Sequence, residues 1–375
     1  MIRNIREVTN LRERKVLVRV DFNVPLGKDG VVDQSEDWRI QKSLETLQYL
    51  QKSGAKTIII SHIGRDKKET LKPVADYLQK FIKVNFVPGW DHDTIRAIVL
   101  DMMPGDVVLL ENLRQNEGEE KNDERFASFL ASLADLYVNE AFAVSHRTHA
   151  SIVAVPDYLQ SYAGFWFQKE IDNLRKVIES PEKPFLFILG GAKFETKIDL
   201  IKKFETIADQ IFIGGALANN FFQAIGLHIG KSLVDKNSHV QEFLRKDNIK
   251  IPFDALIKGG EIKELTNIQE EDVIVDAGPD TIAELVKNIP TFKTILWNGP
   301  LGLYEEGYAD GSKKILNAIV ESGAISIIGG GDTVNLVKQS GVENKISFVS
   351  TGGGAMLEFL AKGTLVGIEA LDQGN

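Results

Sequence analysis

The chain contains no cysteine. That absence excludes a disulfide frame, a thiolate nucleophile and any zinc site built on sulfur, and it fits a reducing compartment, with the cytoplasm as the expected location. Long apolar runs are missing too: FLFIL and TIII are strand-length, well short of the roughly 20 residues that a membrane-spanning helix needs. The N-terminal stretch MIRNIREVTNLRERK is charged throughout and lacks the apolar segment of a secretory signal, so neither export nor membrane insertion is expected. A basic excess is also lacking. Lysine and arginine number 44 against 53 aspartates and glutamates, a formal net charge of -9. This argues against a broad nucleic-acid face and confines any anion site to a local cluster. The fingerprints G-x-x-x-x-G-K-[ST] and G-x-G-x-x-G are absent as well, so a P-loop nucleotidase and a standard dinucleotide enzyme lose support.

What is present is globular in composition, 43% hydrophobic and 26% charged over 375 residues. That length exceeds what one hydrophobic core serves comfortably, so two domains are expected. Short runs rich in Val, Ile and Leu recur between segments of helical period, the pattern of a parallel sheet covered on both faces. KVLVRV, TIIIS, DVVLL and LYVN are the strand candidates of the first half; FLFILG, QIFIGG, VIVD, TILWN, ISIIGG and ISFVS are those of the second. In the segment 39–53, Ile40, Leu44, Leu47 and Leu50 form one helical stripe, and Gly54 stands where a helix ends. Helical spacing also runs from Phe165 through Ile178, with proline on either side, and reads as a domain-connecting helix. The predicted fold is α/β: two doubly wound parallel-sheet, Rossmann-like domains, 1–164 and 181–361, joined by a hinge helix at 165–180.

Ligands of such sheets sit at the carboxyl ends of the strands, and the two halves differ there. In the second half Gly190-Gly191, Gly214-Gly215, Gly329 to Gly331 and Gly352 to Gly354 each close an apolar strand and open a helical pattern. Such turns expose backbone N–H groups at a helix N-terminus, where the helix dipole favours phosphate. One pair does no more than permit a tight turn; four in one domain, beside polar groups, point to a phosphate-rich ligand. Lys193 and Lys197, four apart in GGAKFETK, share a face if that segment is helical, and would then flank a phosphate chain rather than form an ordinary solvated face. Asp332 and Thr333 in GGGDT stand at the first helical positions. Capping and contact with Mg²⁺ are both open there, because Mg²⁺ takes only one or two carboxylates beside substrate phosphates.

In the first half Asp21 and Asn23 alternate at the end of VRVDFNVPL, His62 and Arg65 follow TIII, Arg114 and Arg147 hold post-strand positions in LENLR and AFAVSHRTH, and Arg39 opens the first helix. Each arginine alone would serve equally in a surface salt bridge, Asp21 as a turn former and His62 as a loop histidine. Several guanidinium groups in one crevice repel one another without an anion, and a small substrate carrying a carboxylate and a phosphate relieves this through bidentate bonds.

Taken together, VRVDFNVPL, SHIGR, LENLR, SHRTHAS, LGGAKFETK, LWNGPLGLYE, IIGGGDT and STGGGAMLEF resemble the signature segments of the phosphoglycerate kinase family, in order and almost from end to end. The resemblance implies reversible phosphoryl transfer from 1,3-bisphosphoglycerate to MgADP, giving 3-phosphoglycerate and MgATP, a step of glycolysis and gluconeogenesis. It implies an N-terminal domain for phosphoglycerate, a C-terminal domain for the Mg-nucleotide, and residues 362–375 returning to the first domain. By motif, Asp21, Asn23, Arg39, His62, Arg65, Arg114 and Arg147 would form the phosphoglycerate site. Lys193 and Lys197 would meet the nucleotide phosphates and the transferred group. Gly191, Gly214, Asn298, Pro300, Glu305, Gly330, Gly331, Asp332 and Thr333 would contact the nucleotide, with Glu305 at the ribose and Asp332 at Mg²⁺. Arg39, Lys193, Lys197 and the N–H groups around Gly352 and Gly353 are the candidates for holding transition-state charge. No general base is required, since the attacking group is already an oxyanion. An acyl phosphate is prone to hydrolysis, so a hinge closure that excludes water is expected. A monomer is implied, with small-molecule substrates as its partners.

The chain departs from the family pattern at Thr196, where many members have Asp; at Glu140 and Ala143, which replace Asp and Gly of an NDAFG segment; and at Asp66, where Pro is usual. These touch loop geometry and no contact residue. A non-catalytic anion-binding protein of the same fold is the other reading; loss of Lys193, Lys197 or Asp332 would signal it, and all three are present.

Overall fold

A computed structural model describes residues 2–194, 197–235 and 240–373. The chain divides into two compact units, Met1–Asp172 with Thr364–Asn375, and Asn173–Gly363.

The first unit is built on strands β1 (Lys15–Arg19), β2 (Lys56–Ile60), β3 (Asn85–Val87), β4 (Val107–Leu110), β5 (Leu136–Asn139) and β6 (Gln160–Ala163). They form one parallel sheet in the order β3-β4-β2-β1-β5-β6. The central strand β1 has Leu17 registered between Ile58 and Tyr137, and its Val16, Leu17 and Val18 are fully buried, as a sheet covered on both faces demands. β3 and β6 were not among the sequence candidates: NFV and QSYA are too short and too polar to carry a periodic signal. The helices are α1 (Trp38–Lys52), α2 (Lys72–Leu78), α3 (His92–Leu100), α4 (Glu117–Glu120), α5 (Glu124–Ala131) and α6 (Phe165–Glu179). The α1 stripe Ile40, Leu44, Leu47 and Leu50 is buried as its spacing predicts.

The start of α6 explains the departure at Glu140. Its buried carboxyl accepts the N–H groups of Trp166 and Phe167, each at 3.0 Å, and the Thr46 hydroxyl at 2.6 Å, while Thr46 Oγ1 accepts the N–H of Phe165 at 2.9 Å. Three of the orphan donors of the first turn are thus satisfied by two side chains. Burial pushes the Glu140 carboxyl up to about 7, against the pull of these bonds.

The second unit carries β7 (Phe185–Leu189), β8 (Gln210–Ile213), β9 (Ile249–Lys250), β10 (Asp254–Ile257), β11 (Ile262–Glu264), β12 (Ile274–Ala277), β13 (Thr294–Asn298), β14 (Ile325–Gly329) and β15 (Phe348–Val349). Six of them make a parallel sheet in the order β15-β14-β13-β7-β8-β9, with Leu296 registered between Phe187 and Ile327. The run VIVD does not join this sheet. As β12 it pairs antiparallel with β10 in a separate three-stranded sheet, β11-β10-β12, whose β10–β11 turn is carried by Gly259 and Gly260, both at positive φ. Apolar content marks a strand but not its partner; the Gly-Gly pair in IKGGE is the local signal of the antiparallel hairpin.

Helices α7 (Ile198–Phe204), α8 (Ala216–Ala224), α9 (Pro279–Asn288), α10 (Asp310–Ser322), α11 (Gly331–Gln339) and α12 (Gly354–Lys362) complete the second unit, and α13 (Val366–Gln373) belongs with the first. Gly215, Gly330 and Gly353 are the N-cap residues of α8, α11 and α12. The Gly190-Gly191 turn differs: α7 starts only at Ile198, so Lys193 and Lys197 do not share a helical face. Thr196 lies outside the described residues. Among the described residues no helix is long and apolar enough to cross a membrane.

Candidate functional site

At the carboxyl end of the first sheet, Asp21 and Asn23 follow β1, His62 follows β2, Arg114 follows β4 and Arg147 follows β5. Arg39, in the first turn of α1, donates from Nη1 to the Asn23 carbonyl at 2.8 Å and pairs with Asp21 Oδ2 at 3.2 Å. Asn23 Oδ1 accepts the N–H of Gly64 at 2.8 Å, and Arg114 donates to the Gly64 carbonyl, so the loop after β2 is tied on both sides of one residue. Arg114 Nε also lies 3.3 Å from Glu120 Oε1.

His62 is 3% exposed, and its pKa is held well below the usual value, first by burial and then by the charges of Arg19, Arg114, Arg147 and Arg39. Arg19 Nη2 stands 3.2 Å from His62 Nδ1. A guanidinium only donates, so Nδ1 accepts and the neutral ring carries its proton on Nε2. The 3.9 Å approach of Asp21 Oδ1 is therefore not an ion pair. Arg147, half-buried, is itself lowered by burial and next by Arg114, with Asp21 and Glu120 acting the other way. Asp21, Arg39, His62, Arg114 and Arg147 are thus one electrostatic group, joined by Asn23 through Arg39. Arg65 stands apart: it is exposed on the loop after His62, and among the described residues it has no hydrogen bond or ion pair.

Arg19 was missed from the sequence. It is 1% exposed, donates from Nε to Ser151 Oγ at 2.9 Å, and is compensated by Glu119, which accepts the Ser151 hydroxyl at 2.6 Å. Burial raises the Glu119 carboxyl, but His149, Arg19 and Ser151 more than offset this and hold it below its usual value. The signal was available: Arg19, Asp21 and Asn23 alternate, and an arginine inside a buried strand needs a partner.

In the second unit a cavity of about 490 Å³ opens at the ends of the parallel strands and is lined by Gly191, Pro300, Glu305 and Asp332 of the expected residues. Its shape depends on backbone contact. Gly190 N–H donates to the Asn298 carbonyl at 2.9 Å and Gly191 N–H to the Pro300 carbonyl at 3.0 Å. A Cβ on Gly190 would lie 2.2 Å from Pro300 O, so only glycine fits. Lys197 is 7% exposed and donates from Nζ to the Gly190 carbonyl. Burial pushes its pKa down to about 8, while the nearby Asp332 carboxylate acts to raise it.

Gly330, at φ +98°, turns β14 into α11 over the Asn298 side chain, whose buried Nδ2 has no acceptor among the described residues. Because Gly330 is the N-cap, the capping reading of Asp332 and Thr333 is replaced. Asp332 is exposed at the cavity, and buried Thr333 accepts the Gly299 N–H at 2.9 Å. Glu305 is exposed in a short 3₁₀ turn, and Lys193 is exposed on the loop before Lys197. Gly214 sits behind the cavity against Leu301, and Gly352 and Gly353 open α12 without lining it. The residues that sequence reasoning missed here are Asn219 and Phe222 on α8, Leu233, and Val275 on β12.

Among the described residues no group of three or more His, Asp or Glu is arranged to hold a metal. One exposed carboxylate, Asp332 beside the Gly330 turn, is a donor set that suits Mg²⁺ shared with a ligand's phosphates rather than caged by protein.

Residues 5–363 match the family model described as phosphoglycerate kinase. Curated proteins of that name from Dictyoglomus turgidum and Pseudothermotoga lettingae are each 41% identical, over 96% of this chain and 96% of their own length. The solved structure of phosphoglycerate kinase from Coxiella burnetii has a TM-score of 0.87 at 32% identity, covering 100% of this chain and 99% of that one. The enzyme from Pyrococcus horikoshii OT3 has a TM-score of 0.85 at 29% identity, with the same coverage. On sequence over nearly its whole length and on the fold of both units, this chain belongs to the phosphoglycerate kinase family, enzymes that transfer a phosphoryl group.

Proposed function

We propose that the chain performs the family reaction, phosphoryl transfer between 1,3-bisphosphoglycerate and MgADP, with phosphoglycerate held on the first unit and the nucleotide on the second. The observation that carries this reading is the cationic group around neutral His62. Arg39, Arg114 and Arg19 have acidic partners, whereas Arg147 and Arg65 have no ion pair among the described residues. Such a cluster is relieved by a small polyanion, and a carboxylate plus a phosphate suits it.

In this reading Arg65, Arg114 and Arg147 bind the substrate anions, His62 donates from Nε2, and Asp21 and Asn23 orient Arg39 and the Gly64 loop. On the second unit Gly191, Gly214, Pro300, Gly330, Gly331 and Thr333 shape the nucleotide site, Glu305 meets the ribose, and the unused Nδ2 of Asn298 donates to a phosphate. Asp332 would hold Mg²⁺, which when bound neutralises charge on the nucleotide phosphates.

The attacking oxygen is already an anion, so the protein positions and stabilises rather than abstracts a proton. Lys197 contributes a poorly hydrated ammonium whose attraction for the transferring oxygens is stronger than it would be in water, with Lys193, Arg39 and the N–H groups of Gly352 and Gly353 assisting. In-line transfer needs donor and acceptor oxygens brought together away from water, and α6 is the hinge we assign to that closure. A monomer in the cytoplasm completes the reading. A coupled assay with 3-phosphoglycerate, MgATP and a dehydrogenase that consumes the acyl phosphate tests it; saturable turnover is expected, and none at millimolar substrates would overturn it.

A further inference from the structure

We propose that Glu140 is a positioning residue for the transfer reaction. Its ionised carboxylate seats the first turn of α6 against α1 and β5, and a proton taken up there releases that turn and slows turnover. This rests on the reading of α6 as the hinge, and names the group that sets it.

α6 leaves the first unit and enters the second, the boundary falling between Asp172 and Asn173, so its first turn fixes the direction in which the chain crosses. The donors of that turn are met from outside the helix. Glu140 Oε1 takes the Trp166 N–H and the Thr46 hydroxyl, Oε2 takes the Phe167 N–H, and Thr46 Oγ1 takes the Phe165 N–H. Glu140 directly follows β5, and its own N–H donates to the Arg19 carbonyl at 2.8 Å. Thr46 lies on α1, about two turns beyond Arg39. A Cβ on Gly164 would stand 2.1 Å from Glu140 Oε2, so glycine at 164 leaves the room that the carboxylate occupies. One buried carboxyl thus joins the hinge helix to the end of β5 and to the helix that carries Arg39.

The ionised form serves every donor at once. A proton turns one oxygen into a donor facing N–H and O–H groups, and the bonds that remain lose the strength that charge lends them. The positive end of the α6 dipole also favours the anion. Against this stands burial, which pushes the carboxyl up to about 7 and brings its titration to neutral pH. No cation is paired with it among the described residues. Glu45, the charged neighbour on α1, raises it further but is held by Arg6 at 3.0 Å and Lys169 at 2.8 Å. On α6 Glu170 accepts the Trp166 indole N–H at 3.1 Å, and Lys42 of α1 lies over that indole at 4.6 Å. Arg19 of β1 meets Glu140 through its carbonyl, while its guanidinium is turned to Ser151 and His62.

The test measures kcat of the full chain and of Glu140→Gln from pH 5.5 to 8.5 with saturating 3-phosphoglycerate and MgATP, the amide being neutral and close in shape. The ratio of wild type to variant should rise from near one at pH 5.5 to about tenfold at pH 8.5, the worth of a lost helix cap. Its midpoint should lie at about 7, with KM for phosphoglycerate within about twofold. Thr46→Val keeps the carboxyl and removes a bond that lowers its pKa, so the acid limb of its own profile should move to higher pH. Should Glu140→Gln fail to fold, that shift decides alone. A ratio that stays flat over this range, or an acid limb unmoved in Thr46→Val, overturns the proposal while the hinge stands. Small-angle scattering of wild type at pH 8.5 with both substrates should show contraction; none would instead overturn the hinge reading itself.

Discussion

At the strand ends of the first unit the polar groups are side chains: Arg39, Arg114 and Arg147 stand around a His62 that their charges and burial keep neutral. At the strand ends of the second unit they are mostly backbone, the Gly190-Gly191 turn locked to Pro300 and the Gly330 turn over Asn298, with one buried ammonium, Lys197. The difference teaches where each unit is vulnerable. Charges spread over several arginines are removed one at a time with graded loss, whereas a turn of backbone contacts around a single lysine has no spare parts.

The largest expected effect is at Lys197. Lys197→Met should lower kcat by about 10²- to 10³-fold, with little change in KM for phosphoglycerate. The same variant should be more stable at pH 7 by about 3 kcal/mol, because burial lowers the lysine pKa from 10.5 to about 8 and the charged form is the one penalised in the fold. That penalty is full below pH 8 and is relieved as pH rises toward 10.5, so urea unfolding of the two proteins should converge over that window. An equally steep kcat loss on removing any single first-unit arginine would erase the contrast.

Next comes Gly190→Ala, whose Cβ would meet backbone oxygen of Pro300 and Gly299. It should cost about 2–3 kcal/mol in chemical denaturation and weaken nucleotide binding, and a neutral result would show that the turn gives way.

Arg65→Ala sharpens the comparison from the other side. KM for phosphoglycerate should rise about tenfold, the worth of one charge-assisted contact, with kcat within about twofold. The thermal midpoint should not move, since Arg65 is exposed and unengaged among the described residues. A stability loss would show that it supports the loop rather than the ligand.

The smallest effect is at His62. Its folded pKa is depressed, so the stability it contributes is present above the unfolded value near 6.5 and is lost as pH falls. Going from pH 7.5 to 5.5, wild type should lose about 1 kcal/mol that His62→Gln does not lose, at about 1.4 kcal/mol per pH unit below 6.5. Parallel losses would mean that the ring takes up its proton inside the cluster.

Strand content, and the glycines and arginines gathered at the carboxyl ends of the strands, were legible in the sequence because β1, β2, β7 and β13 are apolar runs buried on both faces. The turn at Lys193 was not legible: a spacing of four permits a helix without requiring one, and α7 begins later, at Ile198. The α8 side of the cavity was hidden for a different reason. It is walled by α8 and by β12, which belongs to the antiparallel sheet that apolar periodicity assigned to the wrong partners.

By itself, then, the order of residues determined the two parallel sheets, the connecting helix, the family motifs and the list of cations and turns available for phosphate, since each is a local matter of period, spacing or missing side chains. Only the tertiary structure decided which groups share a charge environment and which atoms are left unsatisfied. Arg19 meets His62 across 43 residues of chain, and Asn219 is oriented by a carbonyl 14 residues away. Hydrogen bonds and desolvation depend on distance in space, and no pattern along the chain reports them.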